Sequence, residues 1–238
     1  MNTNSNIYTF VFAAIMVVVV GTALAYTAVS LQPLQAENAR QEKMQSILAT
    51  VGIETERSEA PDKYQEFIEK ELVLNNKGEV MQGEVAFDVD LSKEMNKPAD
   101  QQLYPLYIAN VEGEEYYIIP LRGNGLWNAI WGYVSLKSDA NTIAGTTFDH
   151  AGETPGLGAE IIKPFFEERF VDEKVFDENG NLVGVSVVKG YTDAGNKNDH
   201  TVDIISGATI TSVGVSNMIQ ERLKHYKTYF KSLDNFKK

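Results

Sequence analysis

From Ile7 to Leu31 the chain runs 25 residues without a charge, with four consecutive valines, Val17 to Val20, at its centre. Such a run exceeds the roughly 20 residues a helix needs to cross the hydrocarbon core of a bilayer, and a lipid-facing span must satisfy its backbone internally. The chain is therefore expected to begin with a short tail (1–6), then a membrane helix (7–31), a juxtamembrane helix and linker (32–55), and one soluble domain (56–238). Tyr8, Phe10 and Phe12 at one end and Tyr26 near the other resemble interfacial aromatic anchors. A cleaved signal peptide is the rival reading, because Ala23-Leu24-Ala25 has the small-x-small form. The length of the run, the absence of Lys or Arg from Met1 to Asn6, and the apolar residues beyond Ala25 favour a retained anchor. Charge does not fix the orientation, because Glu37, Arg40, Glu42 and Lys43 mix signs on the far side.

The remainder holds every charge in the chain, since residues 1–36 carry no Asp, Glu, Lys or Arg. A formal net charge of −12 excludes a broad nucleic-acid footprint, which needs positive charge. No cysteine is present, so disulfides, thiolate metal sites and cysteine nucleophiles are excluded within this chain. His150, His200 and His225 lack metal-ligand spacing.

Residues Gln35 to Val51 read as a polar helix with Met44, Ile47 and Leu48 on one side and Gly52 as its stop. Pro61 marks a turn, and Tyr64 to Leu74 suggests a short amphipathic helix. Alternating Val85, Phe87, Val89 and Leu91 predict a half-buried strand. Strands are also expected at Leu103–Ala109 and Tyr116–Ile119, around the turn Glu112-Gly113. Asn179-Gly180 predicts a hairpin turn leading into alternating Val183, Val185 and Val187. This mixture predicts an α+β domain with a largely antiparallel sheet and flanking helices.

Three segments could build a site. Asp203-Ile204-Ile205-Ser206-Gly207-Ala208-Thr209 puts an acid, a glycine turn and a hydroxyl at the start of a helix, which Ile210, Val213, Met218, Ile219 and Leu223 continue. Unpaired N–H groups and the positive end of the peptide dipole would suit a phosphate there. The plainer alternative is that Ser206, Thr209 or Thr211 is an N-cap. Gly152-Glu153-Thr154-Pro155-Gly156-Leu157-Gly158 fixes an unusual path just before a helical stretch expected at Ala159–Phe170. Arg122-Gly123-Asn124-Gly125-Leu126-Trp127 is a glycine-rich turn that lacks the third glycine of a dinucleotide fingerprint, because position 128 is Asn. Trp127 and Trp131 read equally as core residues or, for Trp127, as a ring-contacting side chain.

Asp203 to Thr209 resembles the flavinylation motif of the FMN-binding domain family, whose final threonine carries FMN through a phosphoester. In order, the blocks Arg122–Trp127, Gly152–Gly158 and Asp203–Ser212, with the anchor and Val188-Lys189-Gly190, are similar to the NqrC subunits of sodium-translocating NADH:quinone oxidoreductases. Where that family has a basic residue between two glycines, this chain has Asn124. RnfG, the related subunit of a ferredoxin-linked complex, shares Ser-Gly-Ala-Thr and is the alternative.

The resemblance implies FMN esterified to Thr209, with Asp203, Ser206, Gly207, Ala208 and Thr211 in the motif. It also implies Glu153, Thr154, Gly156, Leu157, Gly158 and Trp127 near the flavin. Lys189 is the candidate cation beside the ring, with a solvated strand-end lysine as the plainer reading. A separate Mg²⁺-dependent transferase would attach the flavin from FAD, since a free threonine hydroxyl is a weak nucleophile. The implied partners are the A, B, D, E and F subunits of the complex, NADH and ubiquinone being its substrates. The implied place is the bacterial inner membrane, with the domain on the periplasmic side. A membrane-tethered hydrolase built on Ser206 or Thr209 is weakened by the absence of Gly-x-Ser-x-Gly, because positions 204 and 208 are Ile and Ala. A non-redox assembly ectodomain is the remaining class.

Overall fold

The computed structural model describes residues 5–192, 195–233 and 236. Most of the tail expected at 1–6 lies outside them. The first helix, α1 (Asn6–Ala49), is a single run of 44 residues, on the order of 66 Å at 1.5 Å per residue. Its most apolar 18-residue window has a mean hydropathy of 2.4 and no buried residue, so α1 is long and apolar enough to cross a membrane. Residues Met1–Lys43 form one unit and Met44–Lys238 a second.

The second unit begins inside the stretch expected to be linker. Met44, Ile47 and Leu48 are buried, so the last turns of α1 belong to the core of the domain. Gly52 ends the helix with φ +79°, a conformation that costs a glycine little, and the Ile53 N–H returns to the Leu48 carbonyl at 3.1 Å. Ser135 Oγ then donates to the Thr50 carbonyl at 2.6 Å, which ties this end to the sheet.

The sheet is an antiparallel meander in the order β1-β2-β3-β4-β5: β1 (Ile68–Leu74), β2 (Tyr104–Val111), β3 (Glu114–Asn124), β4 (Ala129–Leu136) and β5 (Ile143–His150). Side chains alternate across it. Leu106, Ile108, Ile119, Leu121 and Val134 join one buried cluster, whereas Tyr107, Ala109, Ile118 and Tyr133 join the other. Both faces are covered, which is why β2 reads as a nearly continuous apolar run. The end of α1 and helix α2 (Ala60–Phe67) cover one face. The long helix α5 (Thr209–Leu223) covers the other through Val215, Met218, Ile219 and Leu223. A second, two-stranded sheet pairs β6 (Ser186–Val188) with β7 (Thr201–Asp203) in parallel. Helices α3 (Leu91–Glu94), α4 (Pro164–Glu167) and α6 (Lys227–Lys231) are short.

Several expected elements take another form. Pro61 lies in the first turn of α2, where its missing N–H costs nothing, and is no turn of its own. The helix expected over Tyr64–Leu74 stops at Phe67 and becomes β1, because Ile68–Leu74 pairs with β2. The strand expected from Val85 to Leu91 is a 3-10 turn (Ala86–Asp88) followed by α3. Here the alternation misleads: Ala86 is the buried residue and Val85 is 52 % exposed. Side chains shape the turn, with Glu71 Oε2 accepting from Phe87 N at 3.0 Å and Asp90 Oδ1 capping α3 through Ser92 N at 2.9 Å.

The turn at Asn179-Gly180 is present, organised by Asp177 Oδ1, which accepts from Asn179 N and Asn181 N at 2.9 and 2.7 Å. It leads to no hairpin ladder beyond an isolated bridge, Phe176 to Leu182; the following strand, β6, pairs with β7 instead. The helix expected over Ala159–Phe170 is broken into a 3-10 turn (Gly158–Ile162), α4 and a second 3-10 turn (Glu168–Phe170). Pro164 causes the break by holding Lys163 extended at φ −95°, ψ 142°.

Glu167, at the end of α4, is pushed up to about 7, chiefly by burial, with the neighbouring Glu168 charge adding and the Phe148 N–H opposing. Its folded form therefore holds a proton that the unfolded chain releases near its ordinary 4.5. The sign follows: between pH about 4.5 and 7 the folded state binds more protons, so this group's stabilising effect is complete below 4.5 and lost as pH rises to 7. Glu167→Gln should flatten that slope and stabilise the domain above pH 7. The expected gain is on the order of 1 kcal/mol after allowance for solvent screening, and urea unfolding at pH 5 and 8 measures it.

Candidate functional site

Thr209 is the first residue of α5, and the residue in the capping position is Ala208, whose side chain can accept nothing. No hydroxyl of the motif caps the helix. Ser212 Oγ instead turns back to accept from Ile205 N at 3.2 Å, which closes the loop before the helix. Ser206 and Thr209 are exposed, and neither hydroxyl hydrogen-bonds to a base among the described residues. Gly207 has φ +79°, and a Cβ there would lie 2.7 Å from Leu157 Cδ2. The α5 start and the Gly152–Gly158 loop are thus pressed together.

The first turn of α5 reverses the usual amphipathic order. Thr211 and Ser212 are buried, whereas Ile210 is 59 % and Val213 37 % exposed. The apolar periodicity therefore does not place Ile210 and Val213 in the core; the buried face runs through Thr211, Val215, Met218, Ile219 and Leu223.

Ile210 instead lines a cavity of about 210 Å³, together with Thr209, Gly207, Ala208, Thr211, Leu126, Glu153, Thr154, Leu157 and Gly158. All three segments singled out in the sequence contribute to this wall. It is mostly apolar, with a few polar groups aimed inward, as small-molecule sites are.

Glu153 joins the segments. Its Oε2 accepts from Thr211 Oγ1 at 2.7 Å, and its Oε1 accepts from Trp127 N at 2.9 Å and Asn128 N at 3.3 Å. Burial alone would raise its pKa, but donation from Trp127 N, Thr211 Oγ1, Asn128 N and Leu126 N holds the carboxyl below its usual range. The Glu153 N–H donates to His150 Nδ1 at 3.2 Å. Trp127 is 70 % exposed, so it is no core residue; its Nε1 donates to Thr154 Oγ1 at 3.1 Å beside the cavity. Gly156 N donates to Glu160 Oε1 at 2.9 Å, and this residue shapes the loop without lining the cavity.

Asp203 and Lys189 lie elsewhere. Asp203 Oδ1 accepts from Gly190 N at 3.0 Å, next to exposed Lys189, and neither side chain belongs to the cavity wall. Arg169 Nη1 donates to the carbonyls of Asp203 and Ile204 at 2.7 and 2.9 Å and so fixes the strand end that leads into the motif. Sequence reasoning missed Arg169, which carries no motif signal, gave Leu126 no role of its own within its segment, and read Ile210 only as part of the apolar helix pattern. Two exposed apolar residues beside a glycine and a helix-start threonine were the available hint.

A hydroxyl open to solvent at a helix N-terminus, beside an apolar slot made by glycine close approach, fits a phosphate ester with a planar ring behind it. Residues 125–224 match the family described as the FMN-binding domain. The chain is 33 % identical over 219 residues to NqrC, the Na(+)-translocating NADH-quinone reductase subunit of this type, from Vibrio campbellii, covering 83 % of this chain and 81 % of that one. The NqrC of Pseudomonas aeruginosa is 33 % identical over 239 residues, with 92 % and 91 % covered. Among solved structures, the corresponding subunit of the same enzyme from Parabacteroides distasonis superposes with a TM-score of 0.77 at 41 % identity, covering 86 % of this chain and 98 % of that one. Shewanella oneidensis NqrC gives 0.68 at 27 %, with 81 % and 96 % covered. With its FMN-binding domain and that breadth of identity, the chain belongs to the NqrC family of Na(+)-translocating NADH-quinone reductase subunits.

Proposed function

We propose that this chain carries FMN covalently on Thr209 Oγ1 and relays electrons within a sodium-translocating NADH:quinone oxidoreductase. The observation that supports it most is the convergence of Leu126, of Glu153, Thr154, Leu157 and Gly158, and of Gly207 to Thr211 on one cavity, with an exposed threonine at its helix-start edge. The α5 N-terminus, with its unpaired N–H groups, would hold the phosphate, and Leu126, Leu157 and Ile210 would flank the ring. The flavin, when bound, supplies the redox chemistry; the chain positions it and limits its contact with water. Because no base among the described residues hydrogen-bonds to the Thr209 hydroxyl, attachment needs an external flavin transferase to activate it. The α1 helix anchors the domain in the bacterial inner membrane, with the domain on the periplasmic side, against the A, B, D, E and F subunits. This helix has no charged residue between Ile7 and Leu31 and offers no ion path of its own, so sodium movement belongs to the assembly.

Purification through a tag on this chain from native membranes tests the reading. The other subunits should co-purify, and the flavin bound to this chain should bleach on addition of NADH. A colourless chain, or one that comes off the membrane alone, would overturn it.

A further inference from the structure

We infer that Glu153 is the charge-setting residue of the site: its fixed negative charge in the cavity wall holds the reduction potential of the flavin down. The inference rests on the reading above and assigns this carboxylate a role beyond architecture. Three observations carry it. Among the described residues, Glu153 is the one charged side chain in the cavity wall, and no Lys, Arg or His there offsets it. It is 5 % exposed and is held by Thr211 Oγ1, Trp127 N and Asn128 N, so its charge has a fixed position. Its carboxylate is wedged between two glycines: a Cβ on Gly125 would meet Oε1 at 2.5 Å, and one on Gly158 would meet Oε2 at 2.5 Å and Thr211 Oγ1 at 2.6 Å.

The chemistry follows from charge balance. An electron that reaches the ring without a proton adds one negative charge to it. A carboxylate held beside the ring by donors that cannot leave makes that addition less favourable. The remaining titratable neighbours do not line the cavity. Arg122 lies on β3, the His150 ring accepts from the Glu153 N–H, and Glu160 accepts from Gly156 N, while the first turn of α5 has no titratable group.

Glu153→Gln keeps the size of the side chain and an oxygen for Trp127 N and Asn128 N, and removes the charge. In full-length chain matured with its transferase, intact mass reports the flavin on Thr209 and spectroelectrochemistry reports the potential. The variant should stay labelled while its reduction equilibrium shifts about tenfold toward the reduced form, ~59 mV for one electron. A labelled variant with an unchanged potential overturns the inference and leaves Glu153 a structural tie only. If Glu153→Gln is unlabelled or unfolded, Thr211→Val decides, since it removes one donor and keeps the shape. Its potential should climb as pH falls and Glu153 protonates, with Thr211→Ser restoring the wild-type curve; a curve like wild type overturns the inference. Loss of label in both variants, with wild type labelled, overturns it too by making the carboxylate a folding element. An unlabelled wild type rejects the covalent-flavin reading itself, and this inference with it.

Discussion

If FMN is esterified to Thr209 as proposed, Thr209→Ala should remove the covalent flavin entirely and leave the domain folded. The side chain is exposed and makes no hydrogen bond among the described residues, so its loss uncovers no buried polar group. Alanine is also the better helix former, which favours the first turn of α5 by a few tenths of a kcal/mol. The melting temperature of the unlabelled chain should stay within about 2 °C of wild type, because surface changes of this kind are usually within about 0.5 kcal/mol. The flavin mass increment and in-gel flavin fluorescence should both fall to background, because Ser206 sits in the turn before α5 and cannot replace a hydroxyl at the helix start. Fluorescence that persists in the variant would put the ester on another residue.

Gly158→Ala should be nearly as damaging by a different route. The added methyl would enter the space of Glu153 Oε2 and Thr211 Oγ1, which are themselves hydrogen-bonded at 2.7 Å. These are buried atoms with little room to move, so the methyl separates the pair and pushes the Gly152–Gly158 loop off α5. Overpacking of this sort costs about 1–3 kcal/mol, and parting Glu153 from Thr211 leaves Glu153 Oε2 without its donor. The expected result is a melting temperature lowered by about 5 °C or more and flavin incorporation below a tenth of wild type. Urea unfolding and absorbance per mole of protein measure the two effects. A variant that melts and labels like wild type would show that the loop is not wedged against α5.

The parts of the fold that were legible in the sequence are those where one physical cause acts alone. The uncharged run from Ile7 to Leu31 could only be a long apolar helix, and the strands around Glu112-Gly113 follow from a turn between apolar runs. Illegible parts are those where tertiary contacts outweigh local pattern. Val85 to Leu91 alternates like a strand but is held as a turn by Glu71, a residue on another element. Met44, Ile47 and Leu48 resembled one side of a spacer until a sheet face was present to bury them. At the site, the glycines and the helix-start threonine were legible because close approach leaves its mark on composition. The roles of Glu153 and Arg169 were not, since each depends on partners far away in sequence: Thr211 for one, the Asp203 and Ile204 carbonyls for the other. Lys189 is a related case: it was a candidate because a cation would favour the reduced ring, a reason of chemistry and not of pattern, and the parallel pairing of β6 with β7 sets it beside Asp203, outside the cavity wall.

The most direct measurement is peptide mapping with fragmentation of the chain taken from its native membrane complex. The peptide spanning Asp203 to Arg222 should carry the mass of one FMN less water, with fragment ions placing it on Thr209. That peptide at its unmodified mass, in complex that still oxidises NADH, would contradict the account.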